Sequence, residues 1–384
     1  MDPILSMENC IIKKTGKSWT VWFAPSQSFV LLEEPAYEVF RRMQEGQNDH
    51  AIVKSIKKIG GIPEKEAQDF IAEIRSNNSF LMDPENRPYN TPTVPEAIHR
   101  AAFKDFETKF YRIQNLLFRV SFSSPVMKMQ LHPLLSHLAV EGVEVPDFSL
   151  ELISWGEFLV FRENGTVVEY FRKEHMHYLK GAVLKKIAGL LYSINETDWM
   201  ATLHASAVSD GKTAILFSAR PGGGKSTFAA LLQANGFTLL ADDFIAIDQL
   251  KSHVWPIPLA SSVKEGSLAA LTPWYPQLAN LVPETSPTGK KGVYLPPRPS
   301  GNSFAQSFPV KAIVFIQYSP DIGLQLETPE TEEALQTLLS ETWVNPTKKN
   351  VESFLDWAVN MKFYRLWYSD FKAALKEITR IFES

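Results

Sequence analysis

Cysteine is almost absent: Cys10 is the only one in 384 residues. No internal disulfide framework and no thiolate metal cluster can be built from it, which fits a reducing compartment. Neither sign of charge dominates. The net charge of −4 gives no electrostatic case for nucleic acid or an anionic membrane. Long apolar runs are missing, so no segment reaches the length that spans a bilayer. The N-terminus lacks the basic stretch and apolar core of a secretion signal. Internal repeats and low-complexity tracts are also missing. Together these absences lead to the expectation of a cytoplasmic protein that binds neither nucleic acid nor membrane. What remains is an ordinary globular composition, 45% hydrophobic and 21% charged, in a chain long enough for two or three domains.

The chemistry is concentrated in one stretch. The apolar run Ala214, Ile215, Leu216, Phe217 leads into Ala219, Arg220, Pro221, Gly222, Gly223, Gly224, Lys225, Ser226 and Thr227, and then into Phe228, Ala229, Ala230, Leu231 and Leu232. This order predicts a strand, a phosphate-binding loop and a helix. The glycines let backbone N–H groups approach an anion closely, and the helix aims its positive end at the same place. Lys225 suits the outer phosphates of a nucleotide, and the Ser226 hydroxyl suits Mg²⁺. Arg220 to Thr227 are therefore the candidate ATP-binding residues. The usual pattern G-x-x-x-x-G-K-[ST] has Ala219 in its first glycine position.

Before this stretch, two β-rich runs (19–23 and 28–32) flank a turn at Pro25-Ser26, and three helices follow. One spans 35–43. The second carries Ala51, Ile52, Ile56 and Ile59 on one face and is closed by Gly60-Gly61. The third starts near Pro63 and carries Ala67, Phe70, Ile71 and Ile74. A stretch with Pro84, Pro88, Pro92 and Pro95 reads as a linker, which puts a boundary near residue 90 and domains at 1–90 and 91–384. Beyond it the pattern predicts strands over 117–122, 148–153, 157–162 and 166–171, with Asn164-Gly165 as a hairpin turn. A short helix is predicted over 131–138 and a longer one over 178–194. A single strand is expected over 201–208, and Asp210-Gly211 then turns into the strand that feeds the loop. The aromatics Phe354, Trp357, Phe363, Tyr364, Trp367 and Tyr368 read as the core of C-terminal helices.

The buried run 237–241 ends in Asp242-Asp243, one short helix and one loop downstream of Lys225. Ligands of open α/β sheets gather at the carboxyl ends of strands. Neighbouring strand residues face opposite ways, so the two acids take different tasks: Asp242 the Mg²⁺ shell, through water, and Asp243 the proton of an acceptor hydroxyl. A capped helix start or a solvated turn is the bland alternative. His204 is either a core histidine, the commoner fate, or an imidazole near a transferred phosphoryl group, with Ser206 on its face. Lys264, Lys291 with Lys290, and Arg298 are candidate cations for phosphates or an acceptor, set against the ordinary fate of solvated surface charges.

The strand with His204, the loop Ala219 to Ser226 and the run Gly236 to Asp243 together resemble the HPr kinase/phosphorylase superfamily, which also resembles phosphoenolpyruvate carboxykinases. The segments 256–267 and 291–297 resemble the HPr-kinase-related group found beside peptide-modification genes. Thr227 stands where HPr kinases have a metal-assisting Glu, which points away from HPr as substrate. Residues 15–82 resemble a PqqD-like domain, through the β-β-α-α-α order and Leu31, Leu32, Ala36, Phe40 and Gly46. That resemblance implies recognition of the leader of a ribosomally made precursor peptide at a strand edge containing Val30 and Leu31. The implied architecture is α/β: a P-loop, HPr-kinase-like mixed sheet with helices, preceded by a small winged-helix-like α+β domain. The implied activity is ATP- and Mg²⁺-dependent phosphorylation of a peptide Ser or Thr, with Asp243, His204, Lys225 and Asp242 as catalytic residues and Ser226 and Asp242 at the metal. A kinase of free serine or another metabolite, and a non-catalytic nucleotide switch, are the competing readings. Homo-oligomerisation is left open.

Overall fold

The computed structural model describes residues 5–7, 9–100, 107–142, 145–285, 289, 291–298 and 305–384; Lys290 lies outside them, as do the side chains of 5–7, 59, 99 and 100. The chain is mixed α/β with several sheets, and eleven α-helices lie among the described residues. No helix among those residues is long and apolar enough to cross a membrane. Two compact units form. One comprises Met1–Asn90, Pro329–Ser340 and Val344–Asn360; the other comprises Thr91–Thr328, Glu341–Trp343 and Met361–Ser384. Two helices that the sequence reading assigned to the second domain therefore belong to the first. Their positions carry no distinctive pattern, and only the tertiary packing reveals the assignment.

The first unit is built on a four-stranded antiparallel meander, Leu5–Met7, Cys10–Thr15, Ser18–Phe23 and Ser28–Glu33. Two of these strands were not anticipated. Alternation divides their residues between two faces. Cys10, Ile12, Val21 and Phe23 pack on Tyr37 and Phe40 of the helix Glu34–Gln44. The opposite face carries Lys13, which is buried yet donates to Asp356 Oδ1 at 2.7 Å, and Phe29, whose ring meets that of Phe354 at 6.1 Å. Asp356 and Phe354 lie on Lys348–Val359, one of the two returning helices. A helical layer thus covers each face. Glu64–Leu81 and Asp49–Gly60 close a second small core around Val39, Ile52 and Ile71.

The second unit contains a six-stranded sheet, a ten-stranded sheet and a three-stranded sheet. In the six-stranded sheet the strands Phe148–Trp155, Phe158–Glu163 and Thr166–Arg172 form the expected meander. Asn164 and Gly165 both take positive φ in its turn. The large sheet centres on Phe308–Tyr318, which pairs in parallel with Ala214–Ser218 and with Lys362–Tyr368. Phe363, Tyr364, Trp367 and Tyr368 are thus in a strand rather than a helix. Phe363, Leu366 and Tyr368 are buried and Tyr364 and Trp367 half-buried, so burial does not alternate cleanly and no period of two marks the strand. Ala214–Ser218 is buried throughout because both of its faces are covered. Ile215, Phe217, Val314, Ile316 and Leu366 form a core with Phe228 and Leu232 of the helix Lys225–Ala234 and with Ile378 of Phe371–Glu383. On the other side of Lys225–Ala234, Ala230 and Leu231 pack on Val263, Val293 and Leu295 of the three-stranded sheet. That sheet unites the two Lys-bearing segments, with Val263 opposite Val293 and Lys264 opposite Gly292.

Gly292 is fixed by contact: a Cβ there would lie 2.5 Å from the Val263 carbonyl oxygen. Because that neighbour is backbone, it cannot swing aside. Gly292→Ala is expected to cost about 1–3 kcal/mol, read as a lowered thermal unfolding midpoint; an unchanged midpoint would show that the strand pair tolerates the methyl group.

Candidate functional site

Three strands meet at one end of the large sheet. Ala214–Ser218 runs into the glycine loop. Thr238–Asp242 ends in the two acids. Ser206–Ser209 lies between them and pairs antiparallel with both, placing Ser206 opposite Phe217 and opposite Asp242. The loop and the acids therefore end side by side. Gly222 and Gly224 have φ of 93° and 94°, a region that costs other residues about 1–2 kcal/mol. A Cβ on Gly223 would meet Ala219 Cβ at 2.9 Å and the Arg220 carbonyl at 3.1 Å, so the loop has no room for one. It is fastened by Gly223 N–H to Arg220 O at 2.8 Å and by Tyr318 N–H to Gly223 O at 3.3 Å. Gly224 caps the helix Lys225–Ala234 without a side-chain hydrogen bond. First-turn N–H groups have no intrahelical acceptor, so this end suits an anion.

Asp242 is 3% exposed and accepts a hydrogen bond from the Ser206 hydroxyl at Oδ1. Its Oδ2 is buried without any hydrogen-bond partner. Burial, with the adjacent Asp243 charge, pushes its carboxyl above the ordinary range, against the pull of Lys225 and of the Ser206 and Ser226 hydroxyls. Asp243 differs because its backbone turns left-handed, with φ 68°. The strand ends there, and this turn, rather than strand alternation, separates the two side chains. Asp243 Oδ1 accepts from Lys225 Nζ at 2.8 Å and from His204 Nε2 at 3.0 Å. Burial would raise its carboxyl, but the His204 hydrogen bond and the Lys225 charge outweigh it and hold the group well below the ordinary range.

His204 is not on a strand. The expected strand over 201–208 breaks into Trp199–Leu203 and Ser206–Ser209, which occupy separate positions in the sheet. His204 sits in the break, exposed, while Ser206 is fully buried, so the two do not share a face. Its Nδ1 meets Glu341 Oε2 at 3.0 Å, and its backbone N–H donates to Glu341 O at 2.8 Å. The Asp243 hydrogen bond raises its pKa most; desolvation and Lys225 oppose, and Glu341 adds to the rise. Glu341 and Lys180, whose charge also bears on Asp243, were not anticipated. Glu341 is 137 residues from His204 in sequence, and no local pattern marks it.

The glycine loop, Lys225, Ser226, Asp243 and His204 line a cleft of about 370 Å³ that also takes in Arg220, Pro221, Thr227, Lys264, Lys291 and Tyr294; Asp242 and Glu341 lie behind its lining. Arg298 is not among the lining residues. It donates to Trp274 O at 2.7 Å and lies over the Tyr275 ring at 4.3 Å, so its charge is spent on holding that segment. Val30 and Leu31 lie far from these groups in sequence, on Ser28–Glu33 of the first unit, where Val30 packs against the core. Chemically, the cleft offers amide donors and a Lys for an anion, the Ser226 hydroxyl and the half-buried Asp243 carboxylate, while the Asp242 carboxylate with its unpartnered oxygen is buried next to them rather than in the lining. No protein-family model matches this chain, and no curated protein matches it.

The raised Asp242 carboxyl has a consequence with a definite sign. A group whose folded pKa exceeds its unfolded one favours the folded state at low pH, and that stability is lost as pH rises through the folded value. Without divalent cations, Asp242→Asn is therefore expected to raise the thermal unfolding midpoint at pH 8 and to do little at pH 4. A lower midpoint at pH 8 would show that the carboxylate is stabilised there.

Proposed function

We propose that this chain is an ATP-dependent kinase that phosphorylates a Ser or Thr hydroxyl of a ribosomally made precursor peptide. The observation that carries the reading is the meeting of Lys225 and Asp243 at 2.8 Å. The first follows the glycine loop and the second ends the next strand of the same direction, so an anion cradle and a proton acceptor share one cleft. Phosphoryl transfer asks a protein chiefly for positioning, charge neutralisation and a group that takes the hydroxyl proton.

Each residue has a role in that scheme. The amides of Gly222 to Thr227 hold the β- and γ-phosphates, and Lys225 leaves Asp243 for the γ-phosphate when nucleotide enters. Asp243 then keeps only His204 as a partner and regains basicity. It takes the proton of the acceptor hydroxyl while that oxygen bonds to the γ-phosphorus and the bond to the ADP oxygen breaks. The products are a phosphoester and ADP, and His204 stabilises the charge around the transferred group. The orphaned, buried Oδ2 of Asp242 beside Ser226 fits a Mg²⁺ site, since Mg²⁺ is held by one or two carboxylates, waters and substrate phosphates. The ion supplies neutralisation of phosphate charge. Lys264 and Lys291 add positive charge to the rim for phosphates or for carboxylates of the acceptor.

The HPr-kinase-like fold of the second unit and the PqqD-like, winged-helix-like fold of the first belong to the same proposal. The strand Ser28–Glu33 is at an edge of its sheet, which supports recognition of an extended leader by strand addition. Binding there raises the effective concentration of the modifiable segment at the cleft.

The test is mass spectrometry of the precursor peptide encoded beside this gene after incubation with the full chain, ATP and Mg²⁺. A gain of one phosphoryl group on Ser or Thr is expected. Asp243→Asn is expected to lower transfer by at least about 100-fold while Mg²⁺–nucleotide binding persists by calorimetry. Normal turnover in that variant would remove Asp243 from its role, and modification of free serine but not peptide would favour a metabolite kinase.

A further inference from the structure

We propose that Glu341 is a positioning residue for the site: it holds His204 doubly protonated, with its Nε2–H directed at Asp243. The inference rests on the kinase reading for its catalytic meaning, although its geometric content stands alone. Both ring nitrogens of His204 face carboxylate oxygens at 3.0 Å, Glu341 Oε2 at Nδ1 and Asp243 Oδ1 at Nε2. Ionised carboxylates only accept hydrogen bonds, so both contacts are satisfied together only by the imidazolium. A neutral ring would leave one nitrogen lone pair facing a carboxylate.

The attachment is double. His204 donates its backbone N–H to Glu341 O at 2.8 Å in addition to the side-chain contact, so main chain and ring are located by the same residue. Glu341 is only 23% exposed in its side chain, against 49% for His204. The shielded carboxylate therefore orients the open imidazole. This matters because His204 lies in a break between two strands, where no ladder fixes it. The charged groups facing the imidazole are Asp243, Glu341 and Lys225, with Lys180 acting on Asp243; Arg220, Lys264, Glu284 and Lys291 line the rest of the cleft. When Lys225 turns to a phosphate, His204 becomes the cation that remains on Asp243, and Glu341 keeps it charged and in place. Aspartate and glutamate thus divide the labour: one receives the proton, and the other fixes the partner that governs when it can.

Glu341→Gln tests this in the full chain, because it preserves size and the backbone bond. His204 ring resonances, followed by NMR against pH and assigned with His204→Gln, are expected to titrate lower by about one pH unit in Glu341→Gln. The high-pH fall of kcat for peptide phosphorylation is expected to move to lower pH in Glu341→Gln, with little change in the KM for ATP. Glu341→Asp is expected to restore part of the His204 titration. An unchanged His204 titration in Glu341→Gln overturns the proposal, even if activity drops. Should the protein phosphorylate nothing, the NMR titration still decides the Glu341–His204 pairing, so failure of the kinase reading and failure of this inference are told apart.

Discussion

A single carboxylate oxygen, Asp243 Oδ1, receives both Lys225 and His204. That convergence constrains the rest of the second unit. Lys225 must follow a strand and begin a helix, and Asp243 must end a strand running the same way. Ser206–Ser209 must lie between those strands, since it is antiparallel to both. The chain meets these conditions with buried apolar strands, so the cleft stands on a hydrophobic core. Lys225 is buried but Asp243 is 38% exposed in its side chain, so solvent screens the contact from one side and tempers the Coulomb attraction. The scaffold holds the ions together more than the ions hold the scaffold.

The neighbouring acid shows the opposite economy. Asp242 is buried with one oxygen unpartnered, an arrangement that costs folding free energy. Two adjacent residues thus carry a destabilised and a stabilised carboxylate, set apart by the left-handed backbone of Asp243 itself. Local expense of this kind concentrates where a ligand is bound, and the glycine loop has the same character, with two positive-φ glycines and a third enclosed by its own loop.

Much of this was legible in sequence because it is local. Strand, glycines, Lys-Ser and helix follow one another without interruption, and the acids come next. The meander around Asn164-Gly165 was also legible, since a two-residue turn declares itself. Three features were not. The strand Cys10–Thr15 has Lys13 on a buried position, paired with Asp356 more than three hundred residues away, so its polarity conceals its burial. The break at His204 arises because its two flanking strands pair with different partners, and that depends on the whole sheet. Glu341 reaches the site through a fold-wide return of the chain. Arg298 was misjudged for a simpler reason: a cation that looks free in sequence found a carbonyl and a ring.

The chain's route between the units has a bearing on its synthesis. The strands between Leu5 and Glu33 form one sheet, yet one face of that sheet is covered by a helix that ends only at Val359. Phe354 and the partner of Lys13 leave the ribosome long after the strands they meet. That sheet therefore cannot be covered on both faces until a helix more than three hundred residues further along the chain has been made. A nascent chain must wait with Lys13 and Phe29 uncovered, and a stop codon before Lys348–Val359 would damage a sheet translated long before it.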